Sequence, residues 1–262
     1  MDLGLQQKGV LVMASSGGIG KGVAMEFARE GARVMLFARS EEKLKKAAGA
    51  IEAETGNRPL FSAGDITDAR DVENVVARTA EEFGGLWALF NNTGGPPAGG
   101  FTQFDDAAWQ SAFELTMLGY VRAIRAAIPH MKAGGGGRIV NNTSVSTKQA
   151  IDGLLLSNVF RSGLVGLGKS LAREFGPEGI LVNTVGPGRI DTERIEQLDT
   201  IWAERDGLTY DEQREKSQAS IPLCKYGEPA EFGRIVTFLC SGANAYVSGQ
   251  NVLIDGAMVE AY

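Results

Sequence analysis

The sequence contains one histidine, His130, and only two cysteines, Cys224 and Cys240. So few imidazoles and thiols give no candidate metal cluster. The two cysteines form no CxxC pair, so reduced thiols are expected rather than a bridge. No excess of positive charge is present either: the net charge is −6 and the isoelectric point is near 5.1. That balance offers no basic footprint for nucleic acid or anionic lipid. No apolar run approaches the roughly 18 uninterrupted residues of a membrane span. The start, "MDLGLQQKGVLVM", lacks the charged, apolar and small-residue regions of a secretion signal. A cytoplasmic protein without nucleic-acid or membrane partners is the expectation.

Glycine, by contrast, is abundant, with 35 residues, which suits a chain of many tight turns. Apolar runs recur as "GVLVMA", "RVMLFA", "PLFSA", "WALFNN", "RIVNN", "ILVNTV" and "NVLID". Between them the apolar period is three to four residues. Continuous apolar strands alternating with helices predict an α/β fold: a doubly wound, Rossmann-type parallel sheet of seven strands covered on both faces. The helices are expected over Gly18–Glu30, Glu41–Thr55, Ala69–Phe83, Ala107–Lys132, Leu154–Phe175 and Pro229–Cys240. No composition break divides the chain, so residues 1–262 are expected to form one domain. The charged, helix-rich stretch 191–228 carries Ile195, Leu198 and Trp202 at helical spacing. It reads either as a surface helix packed on its own domain or as a lid over the C-terminal edge of the sheet, where open α/β folds bind ligands.

The first strand runs into "MASSGGIGKG", Met13 to Gly22. Gly18 and Gly20 at a strand-to-helix turn let the backbone approach a pyrophosphate, which the helix N-terminus favours. The second strand ends "LFARS", with Arg39 where an acid would bind the adenosine ribose of NAD(H). A guanidinium suits a 2′-phosphate, with Ser15, Ser16 and Lys21 as helpers, so NADP(H) is expected over NAD(H).

Six motifs follow in order: "GGIG" at 17–20, "GDITD" at 64–68, "NNTG" at 91–94, "GRIVNNTS" at 137–144, "GILVNTVGPGRIDT" at 179–192 and "SGQNVLIDG" at 248–256. With them the chain resembles the short-chain dehydrogenase/reductase family, and most of all its 3-oxoacyl-(acyl-carrier-protein) reductase-like members. The resemblance implies a cofactor held by Gly18, Ile19 and Gly20, by Asp65 and Ile66 at the adenine, and by Asn91 and Gly94 behind the fourth strand. Pro187, Gly188, Ile190 and Thr192 would flank the nicotinamide. It also implies a homotetramer with the C-terminal strand between subunits.

The resemblance fails at the chemistry. In the family a Tyr exchanges the proton, a Lys four residues on lowers its pKa and grips the ribose, a Ser orients the substrate and an Asn completes a water relay. Here Ser144 takes the Ser place, but Ser157 stands for the Tyr, Arg161 for the Lys and Thr116 for the Asn. Ala14 replaces the first glycine of the cofactor turn and Met13 its usual Thr. A serine hydroxyl is too weak an acid to replace a phenol, whereas Arg161 keeps the charge and the capacity to bind a ribose. Tyr120 falls inside a helix, and Tyr210, Tyr226, Tyr246 and Tyr262 fall far beyond the site; none has a Lys four residues on. Lys148, four residues after Ser144, is a candidate donor if it is desolvated, though it also reads as a solvated loop residue. His130 reads as a helix C-terminal cation.

Three functions remain open from the sequence. One is an NADP(H)-dependent oxidoreductase for a small carbonyl or alcohol substrate, with the proton from Lys148 or water. Another is a cofactor-binding sensor or structural subunit without turnover. The last is a non-redox enzyme built on Ser144 and Arg161.

Overall fold

The computed structural model describes residues 2–261; Met1 and Tyr262 lie outside the described residues. Seven strands form one parallel sheet: β1 Gly9–Met13, β2 Arg33–Ala38, β3 Leu60–Ala63, β4 Ala88–Asn91, β5 Gly137–Asn142, β6 Ile180–Pro187 and β7 Asn251–Ile254. Their order is β3-β2-β1-β4-β5-β6-β7. This is the doubly wound sheet expected. The winding reverses between β1 and β4, and the crevice outside their C-terminal ends is where such a sheet binds ligands.

The nine α-helices among the described residues are α1 Gly18–Arg29, α2 Glu41–Thr55, α3 Ala69–Phe83, α4 Asp106–Phe113, α5 Gly119–Ala133, α6 Leu155–Phe175, α7 Glu193–Asp206, α8 Tyr210–Ala219 and α9 Pro229–Leu239. Strand periodicity builds two cores. Val10, Val12, Val34 and Leu36 pack on Phe27 of α1, Leu44 of α2 and Phe232 of α9. Leu11, Met13, Met35 and Phe37 turn to the other face, against Val72 and Val76 of α3 and Ile124 and Met131 of α5. Both faces are apolar because both are covered.

Caps fix the helix starts. Ser40 accepts from the Lys43 amide at 3.3 Å, and Asp68 accepts from the Arg70 amide at 2.7 Å. The single helix expected over Ala107–Lys132 is instead α4 and α5 joined by a π-helical turn, Glu114–Leu118. At its centre the Thr116 hydroxyl donates to the Ala112 carbonyl at 2.5 Å, and such back-bonding disturbs a helical ladder. The segment 191–228 contains two helices rather than one, α7 and α8.

Candidate functional site

The glycine turn between β1 and α1 has an unobstructed floor. A side-chain carbon built at Gly17 would meet nothing within 4 Å, and the same holds at Gly94 after β4. α1 starts without a side-chain cap, and its Lys21 amide is bonded to the Gly17 carbonyl at 3.1 Å. The amides of the first turn are therefore available to an anion. The turn itself is tight. Ala14 adopts φ +46°, and a side-chain carbon at Gly20 would stand 2.3 Å from the Ala14 carbonyl oxygen. Ser15 departs from the expected set: its side chain is fully buried, donating to the Val12 carbonyl at 2.8 Å and accepting from the Phe37 amide at 3.0 Å. It ties β1 to β2 and has no reach to a phosphate. Ser16 and Lys21 are half-buried.

Arg39 is exposed just past β2 and acts on the Asp65 carboxylate past β3. The Asp65 carboxyl lies below its ordinary value, chiefly because it accepts the Thr67 amide at 2.9 Å; burial opposes the shift and Arg39 adds to it. Ile66 is half-buried under Gly119 of α5.

At the ends of β4 and β5 two asparagine pairs bridge the strands. Asn91 donates to Asn141 at 2.9 Å, and Asn142 donates to Asn92 at 2.8 Å. The Asn91 side chain is thus closed inside the sheet and supports the site from behind. Ser144 begins a short 3₁₀ turn, Val145–Thr147, and its oxygen accepts the Ser146 amide at 3.1 Å. Among the described residues its own proton has no acceptor. Ser157 is half-buried on α6, one turn before the buried Arg161.

Lys148 corrects an expectation. It is exposed at the end of the short 3₁₀ turn rather than enclosed in the site. Thr116 is fully buried with its hydroxyl committed to Ala112, so it does not stand in for the relay asparagine. His130 lies in the last turn of α5, as its helix-end reading requires.

Pro187 at the end of β6 and Gly188 after it are half-buried and Ile190 is buried, while Thr192 holds the N-cap position of α7 without a side-chain capping bond and stands beside Gly18. The base of 191–228 is held by a charged knot. Arg189 pairs with the fully buried Asp199, which also accepts the Tyr226 hydroxyl at 2.8 Å. Arg189 lies over the rings of Trp202 and Tyr226, and Arg214 grips Asp191 with both terminal nitrogens.

Comparison with known proteins decides the family. The model described as enoyl-(acyl carrier protein) reductase matches residues 13–258. The 3-oxoacyl-(acyl-carrier-protein) reductase of Vibrio cholerae is 31% identical, over 98% of this chain and 99% of its own. The chain belongs to the short-chain dehydrogenase/reductase family. Human dehydrogenase/reductase SDR family member 4 is 29% identical over 96% of this chain and 87% of its own. Among solved structures, L-sorbose reductase from Gluconobacter frateurii, complexed with NADPH and L-sorbose, superposes with a TM-score of 0.94 at 31% identity over 100% of both chains. Actinorhodin polyketide ketoreductase with NADPH gives 0.92 at 28% identity, over 97% of this chain and 98% of that one.

Within this short-chain dehydrogenase/reductase, two side chains that sequence reasoning passed over come to the site. Tyr120 of α5 donates to the Asn142 carbonyl at 2.9 Å, the oxygen that also accepts Arg161 at 3.0 Å. Burial pushes its phenol up, and the charge of Arg161 only partly offsets this. Arg194 in the first turn of α7 donates to the Pro96 carbonyl at 3.1 Å. No pattern in the sequence marks Tyr120; Arg194 is marked only by lying two residues after Thr192. No helix is long and apolar enough to cross a membrane among the described residues.

Proposed function

We propose that this oxidoreductase is NADP(H)-dependent and reduces a small carbonyl compound, or oxidises the corresponding alcohol, without the family's phenol. The observation that carries this reading is the open space at Gly17 and Gly94, together with a Ser144 hydroxyl whose proton has no acceptor among the described residues. The NADPH complexes of the related L-sorbose and actinorhodin reductases support the choice of cofactor. Gly18, Ile19, Gly20 and Ser16 would hold the pyrophosphate end, Arg39 the 2′-phosphate, and Asp65 and Ile66 the adenine. Gly94, Pro187, Gly188, Ile190 and Thr192 would line the nicotinamide, with Asn91 behind them and Arg161 at the ribose. Bound NADPH supplies a hydride to the carbonyl carbon, and a proton on the oxygen completes the alcohol.

The chain's own part is positioning. Ser144 donates to the substrate oxygen, Ser157 leaves room beside it, and water entering there delivers the proton. Absence of a tuned acid slows such a step by about 10²–10⁴-fold and does not abolish it. Residues 191–228 act as the substrate lid, and the chain assembles as a homotetramer. The test is titration of the purified protein with NADPH and NADH, then a panel of ketones and ketoses followed by NADPH absorbance. Tighter binding of NADPH and oxidation of the cofactor by at least one ketone are expected. Failure to bind either dinucleotide overturns the reading.

A further inference from the structure

Beyond the C-terminal ends of β4 and β5, two guanidiniums are bonded to backbone carbonyls and, among the described residues, to no acid. Arg161 is buried on α6 and bonded through Nη1 to the carbonyl at the end of β5. Arg194 comes from α7 and is bonded through Nη2 to Pro96 in the loop after β4; a side-chain carbon at Gly95 would touch its guanidinium at 3.0 Å. β4 and β5 are neighbours, paired through Asn91 and Asn141, so both cations hang on adjacent strand ends. Among the described residues neither forms an ion pair with a carboxylate: Glu193 and Glu196 share the first turn of α7 with Arg194 without pairing with it, and Asp191 is held by Arg214.

The arrangement is unfavourable for the protein alone. Desolvated like charges cost stability unless something negative joins them. A cation in the first turn of a helix also opposes the helix dipole. Burial, and after it the charge of Arg161, pull the Arg194 guanidinium down from its ordinary value. Local rules broken together at a crevice mark a functional site.

We infer that Arg194, beside the charge of an Arg161 that also serves the ribose, forms the recognition site for the carboxylate of an oxo-acid substrate. The inference rests on the reductase reading above and names its substrate class. The phosphates of the dinucleotide are the competing source of negative charge, but their place is elsewhere. Thr192, not Arg194, stands against the Gly18 turn, while Arg194 contacts Gly95 and Pro96. The planar fork of Arg194 would supply charge-assisted bonds to a carboxylate and fix the carbonyl relative to Ser144.

The experiment compares pyruvate, acetoacetate and levulinate with their ethyl esters as substrates of the NADPH-loaded protein, alongside calorimetric titration of each acid into the NADP⁺ complex. At least one acid is expected to exceed its ester in kcat/KM by about tenfold. Arg194→Met should lower that ratio by about tenfold, to near parity, as for loss of a charge-assisted hydrogen bond. Arg194→Lys should recover part of it, as a point charge without the fork. Thermal melts of both variants establish that they fold, and Arg194→Gln replaces Arg194→Met if it does not.

Esters reduced as well as their acids overturn the inference and leave the reductase reading standing. Loss of NADPH affinity in Arg194→Met, with the acid-to-ester ratio intact, assigns the guanidinium to the cofactor and also overturns it. If none of these acids or esters is reduced, binding decides. An acid held by the NADP⁺ complex and weakened by Arg194→Met supports the carboxylate site, and no acid binding overturns it; the reductase reading is decided separately by dinucleotide binding and the wider ketone panel.

Discussion

Tyr120 and Arg161 converge on one acceptor, the Asn142 carbonyl oxygen, from helices α5 and α6. A phenol and a cation therefore stand together in this molecule, as they do in the family's usual site, but the phenol is fully buried and its proton is spent on the backbone. It braces Arg161. Placing the phenol where it can work requires residue 157. The double change Ser157→Tyr with Arg161→Lys should raise ketone reduction by about 10²-fold, the lower end of what a positioned acid contributes. Each single change should do less. Steady-state rates over a ketone panel check this, and a doubly changed protein that binds NADPH but stays at the wild-type rate would sink it.

Arg39 should decide between the two dinucleotides. Arg39→Ala is expected to weaken NADPH by about 10–100-fold, as for loss of hydrogen bonds to a charged phosphate, and to leave NADH within about twofold. Fluorescence titration of both cofactors measures it. Equal losses for the two would remove the 2′-phosphate from this residue.

Ser144 retains a donor proton at the end of β5. Its replacement by Ala should lower kcat/KM for any substrate found by about tenfold, the loss of one hydrogen bond in the transition state. An unchanged value excludes the residue from the reaction.

Asp65 gives a pH dependence with a definite sign. Its carboxyl is depressed in the folded protein, so its stabilising contribution is complete above the unfolded value of 3.8 and disappears as pH falls through the lower folded value. The stability gap between wild type and Asp65→Asn should therefore be widest near about pH 5 and close toward about pH 2.5. Urea unfolding across that range measures it. A gap constant with pH would show that the charge on Asp65 adds nothing.

Much of the fold is legible in the sequence alone. The alternation of Val10, Leu11, Val12 and Met13 predicts a strand buried on both faces, and the structure sends these residues alternately to two cores. The order of motifs locates Ser144, Ser157 and Arg161 together because strand ends and the following helix are joined locally. What escaped the sequence is what depends on contact across the chain. Asp199 sits in a charged helix and reads as solvated, yet it is fully buried beneath Arg189 and Tyr226. Tyr120 is separated from Arg161 by a strand and a loop, and only packing joins them. Lys148 shows the opposite failure: spacing from Ser144 suggests proximity, but the short 3₁₀ turn carries it out to solvent.

Ala14 bends left-handed at φ +46°, and Gly20 has the Ala14 oxygen pressed against it at a distance no side-chain carbon tolerates. For a lineage drifting through sequence space, these two positions have unequal freedom. Position 14 can exchange Gly for Ala, Asn or Asp at a cost of about 1–2 kcal/mol, which a stable domain absorbs. Position 20 has no alternative while the path of the turn is kept. A protein can therefore shed the first letter of a nucleotide-binding signature and preserve the shape that the signature encodes, and searches that demand that letter will miss its descendants.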